Sequence, residues 1–548
     1  MVGGAGGYGA TNGSGGSGAI SITDGMLRLD APVLVGGLTL SDLETLSIDA
    51  SCRTFDYRTS SGQGTVTMTG GILVVSQNAL LTSANVNSAF KASGGSILFN
   101  IDPNGGENQR MGAIVMPSIV VTSTAQLGVT MDEWQEGKYT FDTTSPVLVS
   151  ETSNAMKVDS DSFDSLFYTL ETYQGVGADA NKWYLKSVIV KNMDSVWADA
   201  GETVQTLNAA VLGEEARRDV NNIFFQSQNY DQLNSAADQL AGAAYADAIT
   251  APLQRLTSIN QIVMAQVMQV NGIFHAGYVY DDAYSNVRFL GEDQGILANN
   301  KVAPWGGYYG GKSTTSASLG RTGFDNDSNG FIVGLDLPVQ VFRLGGYYAF
   351  GNSSVDTSSL LAGSTHIKGK DHLFGLYMKW NALLLSGYWG LTGNYGYSSY
   401  ESTRALSSGN ALASYGGSQW GIYFERGWSL PIWLFNVNPH LALQYESISQ
   451  DAFSESGTSS HCFDYQKLSL HSLRGIVGLR GIMNLGTFKL TLQGSYIREF
   501  GDGEPAIHAV IVETGDMMTV YGLGNGRDWF NGGAGVTLCL GQFSLMAN

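Results

Sequence analysis

The chain has 548 residues, too many for one ordinary domain, and its 71 glycines stand against only 10 prolines. With 11% aromatic and 14% charged residues it is not a disordered tail, and it suits an all-β chain with many tight turns. A formal charge of −19 excludes a nucleic-acid binder, because phosphates require clustered Lys and Arg.

The chain opens Met-Val-Gly-Gly-Ala, with no basic-then-apolar leader, and residues 3 to 18 are a Gly/Ser/Asn run without core-forming residues. From about 19 to 195 come short pieces rich in Val, Ile, Leu and Thr, separated by Gly-Gly, Asn-Gly and Asp-Gly turns. A stacked β-sandwich and a right-handed parallel β-solenoid both fit. Loose self-similarity among "GAISITDGMLRL", "GTVTMTGGILVV" and "GGSILFNID" favours the solenoid. Cys52, Cys462 and Cys539 lie far apart, and no Cys/His spacing suggests a metal site.

Near residue 200 the period changes. Thr206 to Phe225 and Tyr230 to Val270 carry apolar residues at spacings of three and four. Leu253, Leu256, Ile259, Ile262, Val263, Val267 and Val270 form one helical stripe; Asn229 offers an N-cap upstream, Pro252 sits where a new helix can start, and Gly272 can end the last helix. Eighteen such residues reach roughly 27 Å, close to the hydrocarbon height of a membrane. The polar face (Ser258, Asn260, Gln261, Gln266, Gln269) contains no charge and suits a wet lumen. A small helical domain packed on the N-terminal part is the other reading.

From about residue 301 the period becomes two. In Leu383 to Ser398 the parity of Trp389, Leu391, Tyr395 and Tyr397 faces that of Tyr388, Thr392, Asn394 and Ser398. Leu441, Leu443 and Tyr445 likewise face His440, Ala442, Gln444 and Glu446. Such strands suit a barrel, apolar toward lipid and polar toward a hydrated lumen. Ten are expected, at about 302–310, 328–337, 340–351, 365–380, 382–399, 410–428, 432–448, 464–482, 486–500 and 528–541, with an eleventh starting at 542. Tight turns should alternate with long loops at 351–365, 400–409, 449–462 and 501–526. Barrels of this kind use even strand counts, so the last hairpin is expected to be missing from a chain that is a piece of a longer one.

Several local signatures together resemble the autotransporters, the type V secretion family. The barrel opens on Trp305, Tyr309 and Gly310, followed by Gly330, Gly334 and Asp336, then by Arg343, Gly345 and Gly351. "DAFSESG" at Asp451 to Gly457 precedes Ser472-Leu473-Arg474-Gly475 and Gly478-Leu479-Arg480, and "YIREFGD" and "GNGRDWFNGGAGVTLCLG" are similar to the family's penultimate strands. Upstream, "QLNSAADQLAGAAYADA" resembles the family's helical linker, and Trp183-Tyr184-Leu185 the closing segment of its solenoid passengers. The resemblance implies a passenger at residues 1–200, a helical linker with a pore-spanning helix at 201–275, and a 12-stranded-type antiparallel transmembrane β-barrel at 276–548. It implies the Gram-negative outer membrane, with the passenger at the cell surface as adhesin or scaffold. Lipid, the barrel-assembly machinery and an unidentified surface ligand would be its partners. The family ends in an aromatic residue, whereas this chain ends Ala547-Asn548.

All seven histidines follow residue 274, so a Ser-His-Asp or Cys-His site cannot form within residues 1 to 200. No enzyme, cofactor or metal is expected. The candidate residues are lumen-facing contacts to a plug helix: Lys379, His440, Gln444, Glu446 and Gln493. A solvated lumen without specific partners is the alternative for them. Asn260 and Asn271 are available for cleavage of the helix, though nothing in the local sequence selects them. A channel-type barrel with a soluble periplasmic N-terminal domain is the competing function.

Overall fold

A computed structural model describes most of residues 65–281 and 302–547 apart from short connecting segments; before residue 65 it describes four strands by their backbone. The glycine- and serine-rich run at residues 3 to 18 lies outside the described residues, as does the stretch 282–301 within the expected barrel domain.

Residues 20 to 158 form three sheets of parallel strands. The first orders Ile20–Ile22, Leu38–Leu40, Thr65–Met68, Ala89–Ala92, Ser118–Val121 and Met156–Val158. The second orders Gly25–Leu29, Glu44–Ile48, Ile72–Val75, Ser96–Asn100 and Gln126–Thr130, and the third Leu80–Thr82, Ala113–Met116 and Leu148–Ser150. Each pass of the chain therefore adds a strand beside the one from the pass before. Apolar side chains from all three meet inside, with Phe90, Ile97, Phe99, Ile114, Ile119 and Val129 buried completely. Lys182–Val190 then runs antiparallel to Gly137–Thr140 and Tyr168–Gln174, and ends the stack.

Six helices follow among the described residues: α1 (Met193–Asp199), α2 (Glu202–Ala209), α3 (Glu214–Phe224), α4 (Tyr230–Ala241), α5 (Ala243–Ala248) and α6 (Thr250–Asp281). An all-β description is thus too narrow. The side chain of Asn229 caps α4 by accepting from the Gln232 N–H, as its sequence position suggests. The helical stretch Tyr230 to Val270 divides at Gly242, whose φ of 77° ends α4 in the left-handed region, and a new helix starts at Thr250, beside Pro252. Gly272 does not stop α6, which continues to Asp281. A glycine inside a helix costs only about 1 kcal/mol and stops it only where the left-handed conformation is adopted.

The wall of the barrel has, among the described residues, eleven main strands: β1 (Ala303–Thr315), β2 (Phe324–Val339), β3 (Phe342–Ser359), β4 (Gly363–Ala382), β5 (Gly387–Leu406), β6 (Gly409–Trp428), β7 (Phe435–Gln450), β8 (Leu468–Leu485), β9 (Phe488–Glu499), β10 (Asp528–Leu540) and β11 (Phe543–Ala547), with the short pieces Leu430–Ile432 and Ser456–Gly457 paired to β7 and β6. Consecutive neighbours are antiparallel. An odd count brings the first and last strands into the same direction, so β11 closes on β1 in parallel, Trp305 opposite Ser544 through Tyr308 opposite Ala547. The alternation read from the sequence is present in space. Phe331, Val333, Leu335, Tyr395, Leu441, Leu443 and Leu492 face outward, while Thr392, Ser398, His440, Gln444 and Glu446 are buried inside.

Two of the four expected long loops are strand. β3, β4, β5 and β6 run for 18 to 20 residues, well beyond the ~10 that cross a bilayer, and absorb most of 351–365 and 400–409. Their upper outward residues are polar (Ser354, Lys368, Glu401), so no apolar alternation marks them. Their upper inward residues, among them Val355, Ile367, Tyr400 and Tyr415, are held instead by the helices inside. The other two expected loops hold a small four-stranded sheet, Phe453–Ser454, Phe463–Tyr465, Ala506–Ile511 and Met517–Tyr521. One hydrophobic cluster runs from Phe90 and Phe99 through Phe224 and Leu240 to Tyr415, Phe453 and Val520. Trp134, stacked on Phe225 at 3.8 Å between ring centroids, is one of its links between the N-terminal sheets and the helices.

Candidate functional site: the occupied lumen

α6 is the element the lumen encloses. Its first turn holds Pro252, which lacks only an N–H that has no partner at a helix start. From there its side chains meet the wall on all sides. Ser313 of β1 and Asn326 of β2 donate to Gln254 Oε1 at 2.6 and 2.8 Å. Gln493 of β9 and Asn531 of β10 donate to Gln261 Oε1 at 3.3 and 3.1 Å, and the Gln261 amide donates to Ser495 Oγ at 3.4 Å. Met264 lies against Gly390 of β5 so closely that a Cβ there would come within 2.5 Å of its sulfur. A side chain at 390 would therefore make Met264 move aside.

Two buried cations fix the register of α6. Arg255 projects from the helix and pairs with Asp371 of β4, reaching Gln419 of β6 at 3.4 Å. Asp371 also accepts from Ser398 and Ser353, so its lone pairs are satisfied. Arg474 of β8 points the other way, from wall to helix, donating to the Leu253 carbonyl at 3.1 Å and Thr257 Oγ1 at 2.9 Å. Its Nε donates to Glu499 at 3.0 Å, and its guanidinium lies 5.0 Å from the Trp529 ring centroid. Buried charges persist only when paired and hydrogen-bonded, and both arginines meet that condition.

At the mouth, α4 and α5 are clamped by the upper ends of the strands. Arg404 of β5 donates Nε and Nη2 to the two carboxylate oxygens of Glu455, each at 2.6 Å, and Nη2 also to the His461 carbonyl at 2.7 Å. Its Nη1 donates to the Gln239 and Leu240 carbonyls at 2.9 and 3.0 Å. Tyr465 Oη donates to the Ala241 carbonyl at 3.0 Å. Those carbonyls end α4 and have no intrahelical partner, so a cation and a hydroxyl satisfy them where the helix dipole is negative. Tyr245 Oη donates to Glu455 at 2.7 Å, the Leu523 N–H to Asp247 at 2.6 Å and the Thr322 N–H to Asp238 at 3.0 Å. Burial pushes the Asp238 carboxyl up to about 6, and burial with the nearby Arg404 charge lowers the His461 imidazole to about 3.

The five residues singled out from the sequence all line the lumen, with different roles. Gln493 touches α6 directly. Glu446 stands 3.8 Å from Arg474 and so acts on the helix at one remove, and Gln444 donates to Glu446. Lys379 and His440 lie lower. Lys379 sits 5.2 Å from the Tyr388 ring centroid, and His440 lies beside the Asn438 carbonyl at 3.3 Å. Near them Glu425 pairs with Arg480 at 3.3 Å and accepts from Tyr388 and Tyr423. Side chains of α6 beyond Gln266, Asn271 among them, lie outside the described residues. Asn260 is buried with neither amide atom hydrogen-bonded. A cavity of about 460 Å³ separates α6 from β1, β9 and β10, lined by Ser258, Gln254, Asn326, Gln493 and Asn531.

Arg255, Asp371, Arg404, Glu455 and Arg474 carry more of this site than the residues first selected. Arg255 was visible, since it is the one charge between Ile249 and Val270, on a helix otherwise read as uncharged. Glu455 and Arg474 stand within the family-like signatures but with no role attached, and Asp371 and Arg404 gave no signal, because strand parity alone does not say which inward charge meets a helix.

Residues 304–548 match the family model of the autotransporter β-domain. Among solved structures, the chain is similar to the translocator domain of the autotransporter NalP from Neisseria meningitidis, at 16% identity and a TM-score of 0.34 over 48% of this chain and 88% of that one. It is also similar to the transport unit of AIDA-I from Escherichia coli, at 12% identity and a TM-score of 0.31 over 44% of this chain and 79% of that one. The β domain of the Bordetella autotransporter BrkA matches at 15% identity and a TM-score of 0.28, over 43% of this chain and 92% of that one. No curated protein matches the chain.

Proposed function

We propose, from the premise that this chain is an autotransporter whose C-terminal barrel domain occupies residues 304–548, that it exports its own N-terminal part through the barrel and keeps it on display. The barrel is an outer-membrane barrel, and the passenger side faces the cell surface. Residues 1–200 act as the passenger, a right-handed parallel β-solenoid. Three parallel ladders, each gaining a strand as the chain returns, support that reading.

One observation carries the export reading. α6 makes polar contacts to seven wall strands, β1, β2, β4, β6, β8, β9 and β10, before the chain continues into β1. A segment threaded through the lumen ahead of the first strand is the expected remnant of a passenger that left by that route. Left in place, it seals the pore.

The passenger itself serves as an adhesin or surface scaffold rather than an enzyme, in keeping with the absence of histidine before residue 275. Lipid, the barrel-assembly machinery and an unidentified surface ligand are its partners. Protease treatment of whole cells tests the arrangement. Loss of residues 1–200 while the barrel stays intact supports display. Protection of that segment would instead place it in the periplasm, beneath a channel-type barrel.

A further inference from the structure

The outward face of β4 changes chemistry abruptly along its length. Phe374, Leu376, Met378 and Trp380 lie in the apolar band, with Leu376 73% exposed. Above them, toward the mouth, come His372, Lys370, Lys368 and His366. His372 marks the border. Tyr348 Oη lies 2.7 Å from its Nδ1, and its ring stacks on Tyr397 at 4.8 Å and tilts against Phe350 at 5.2 Å. Aromatic rings gather at that level on a membrane protein because each presents an apolar body and a polar tip to the interface.

The two lysines above that border are exposed. In register, Lys370 is flanked by Asn352 and Ser399, both neutral, and Lys368 by Ser354 and Glu401. Asp356, on the neighbouring strand, pairs with His366. Among the described residues neither lysine has a carboxylate within ion-pair distance, Glu401 included. On other strands the outward Lys312 pairs with Asp327 at 3.7 Å and Arg498 with Asp528 at 3.2 Å, while the outward Arg426 lies 4.7 Å from the Trp389 ring centroid. In a chain of 29 basic and 48 acidic residues, two adjacent cations without anions on the protein point to an anion from outside it. Lys370 stands two residues past His372, about 7 Å along the strand, where headgroups begin above the acyl chains.

We propose that this patch binds the phosphate of a phosphorylated glycolipid headgroup in the outer leaflet. Lys370 and Lys368 supply ammonium donors to the phosphate oxygens, and Asn352 and Ser399 neutral ones beside them. Tyr348, His372 and Tyr397 form the surface on which the sugar and the first methylenes rest. The inference rests on the outer-membrane placement of the barrel and is independent of what the passenger does.

The test uses the full chain in phosphatidylcholine nanodiscs, titrated with bis-phosphorylated lipid A and read by native mass spectrometry. Binding should weaken roughly tenfold or more in the Lys368→Gln/Lys370→Gln variant, at about 1 kcal/mol per lysine. The Lys312→Gln variant and the double lysine-to-arginine variant should bind as the parent does. Dephosphorylated lipid A should bind no better than phosphatidylcholine, and millimolar inorganic phosphate should not displace the lipid. Undiminished binding by the double glutamine variant, equal binding of dephosphorylated lipid, or displacement by inorganic phosphate overturns the proposal. Heat-modifiable mobility of each variant establishes that it is folded, and the single Lys370→Gln substitution replaces the double one if that fails.

Discussion

Arg404 and Glu455 meet through two parallel hydrogen bonds of 2.6 Å, and the three remaining N–H groups of Arg404 end on the carbonyls of Gln239, Leu240 and His461. Every donor of one buried guanidinium is thus used, and on two elements: the roof segment that holds Glu455 and His461, and the end of α4. Removing one partner leaves the other charge buried alone. Glu455→Gln or Arg404→Met should therefore destabilise the mouth by about 3–5 kcal/mol. Arg404→Lys should fail nearly as badly, because an ammonium lacks the fork. Limited proteolysis at the α4–α5 junction, followed against urea, measures the loss.

The Arg255–Asp371 pair makes a second prediction, this time about the pore. Asp371→Asn keeps the shape but removes the charge, so α6 should loosen within the lumen. Single-channel recordings in planar bilayers should show more frequent and larger openings than the parent, and Asp371→Asn/Arg255→Met should restore quiet behaviour by removing both charges. Unchanged recordings in Asp371→Asn would mean that Arg474 and Gln261 hold the helix without this pair.

Gly390 gives a steric test. Leucine there would drive into Met264 and should cost about 1–3 kcal/mol in heat-induced unfolding of the barrel. Met264→Ala in the same chain should recover much of that loss, since it removes the atom in the way.

Two groups at the mouth have opposite pH dependence. Asp238 stands at about 6 in the folded chain, above its ordinary 3.8, so between those values the folded form holds a proton that the unfolded form has lost. Its contribution therefore falls as pH rises through that window. His461, at about 3 rather than 6.5, has lost a proton that the unfolded chain keeps, and its contribution rises with pH between those values. The His461 shift is the larger, so the mouth should weaken toward acid. Asp238→Asn should steepen that decline and His461→Gln should flatten it, in thermal melts run from pH 4 to 7.

The parts of this fold that could be read from the chain are those in which one local period is repeated. Alternation located nearly every wall strand and put Gln444, Glu446 and Gln493 on the correct side of it, because lipid outside and water inside impose the same parity each time. A three-and-four spacing located α6 for a similar reason. Legibility failed where tertiary packing replaced solvent as the sorting agent. Ser354, Lys368 and Glu401 look like loop residues because they face water, yet their strands continue on the strength of Val355, Ile367 and Tyr400 packing inward. A new helix start at Pro252 was legible, whereas the left-handed end of α4 at Gly242 was not, since a glycine's φ depends on what surrounds it. Of the site, the apolar stripe of the helix was legible but its clamps were not. Arg404 meets Gln239 across 165 positions of sequence, and no spacing rule reaches that far.

The continuous apolar cluster between the N-terminal sheets and the barrel mouth has a mechanical consequence. A passenger displayed as proposed would be pulled whenever a bound ligand moved away from the cell. With Trp134 and Phe225 stacked at one end of that cluster, and Tyr415 and Phe453 at the other, tension does not arrive at the wall along a single extended strand of chain. It would pass through the side chains of that cluster to β3 to β7 and the small roof sheet, which share it. The load-bearing capacity of the tether is then set by the barrel rather than by its narrowest segment.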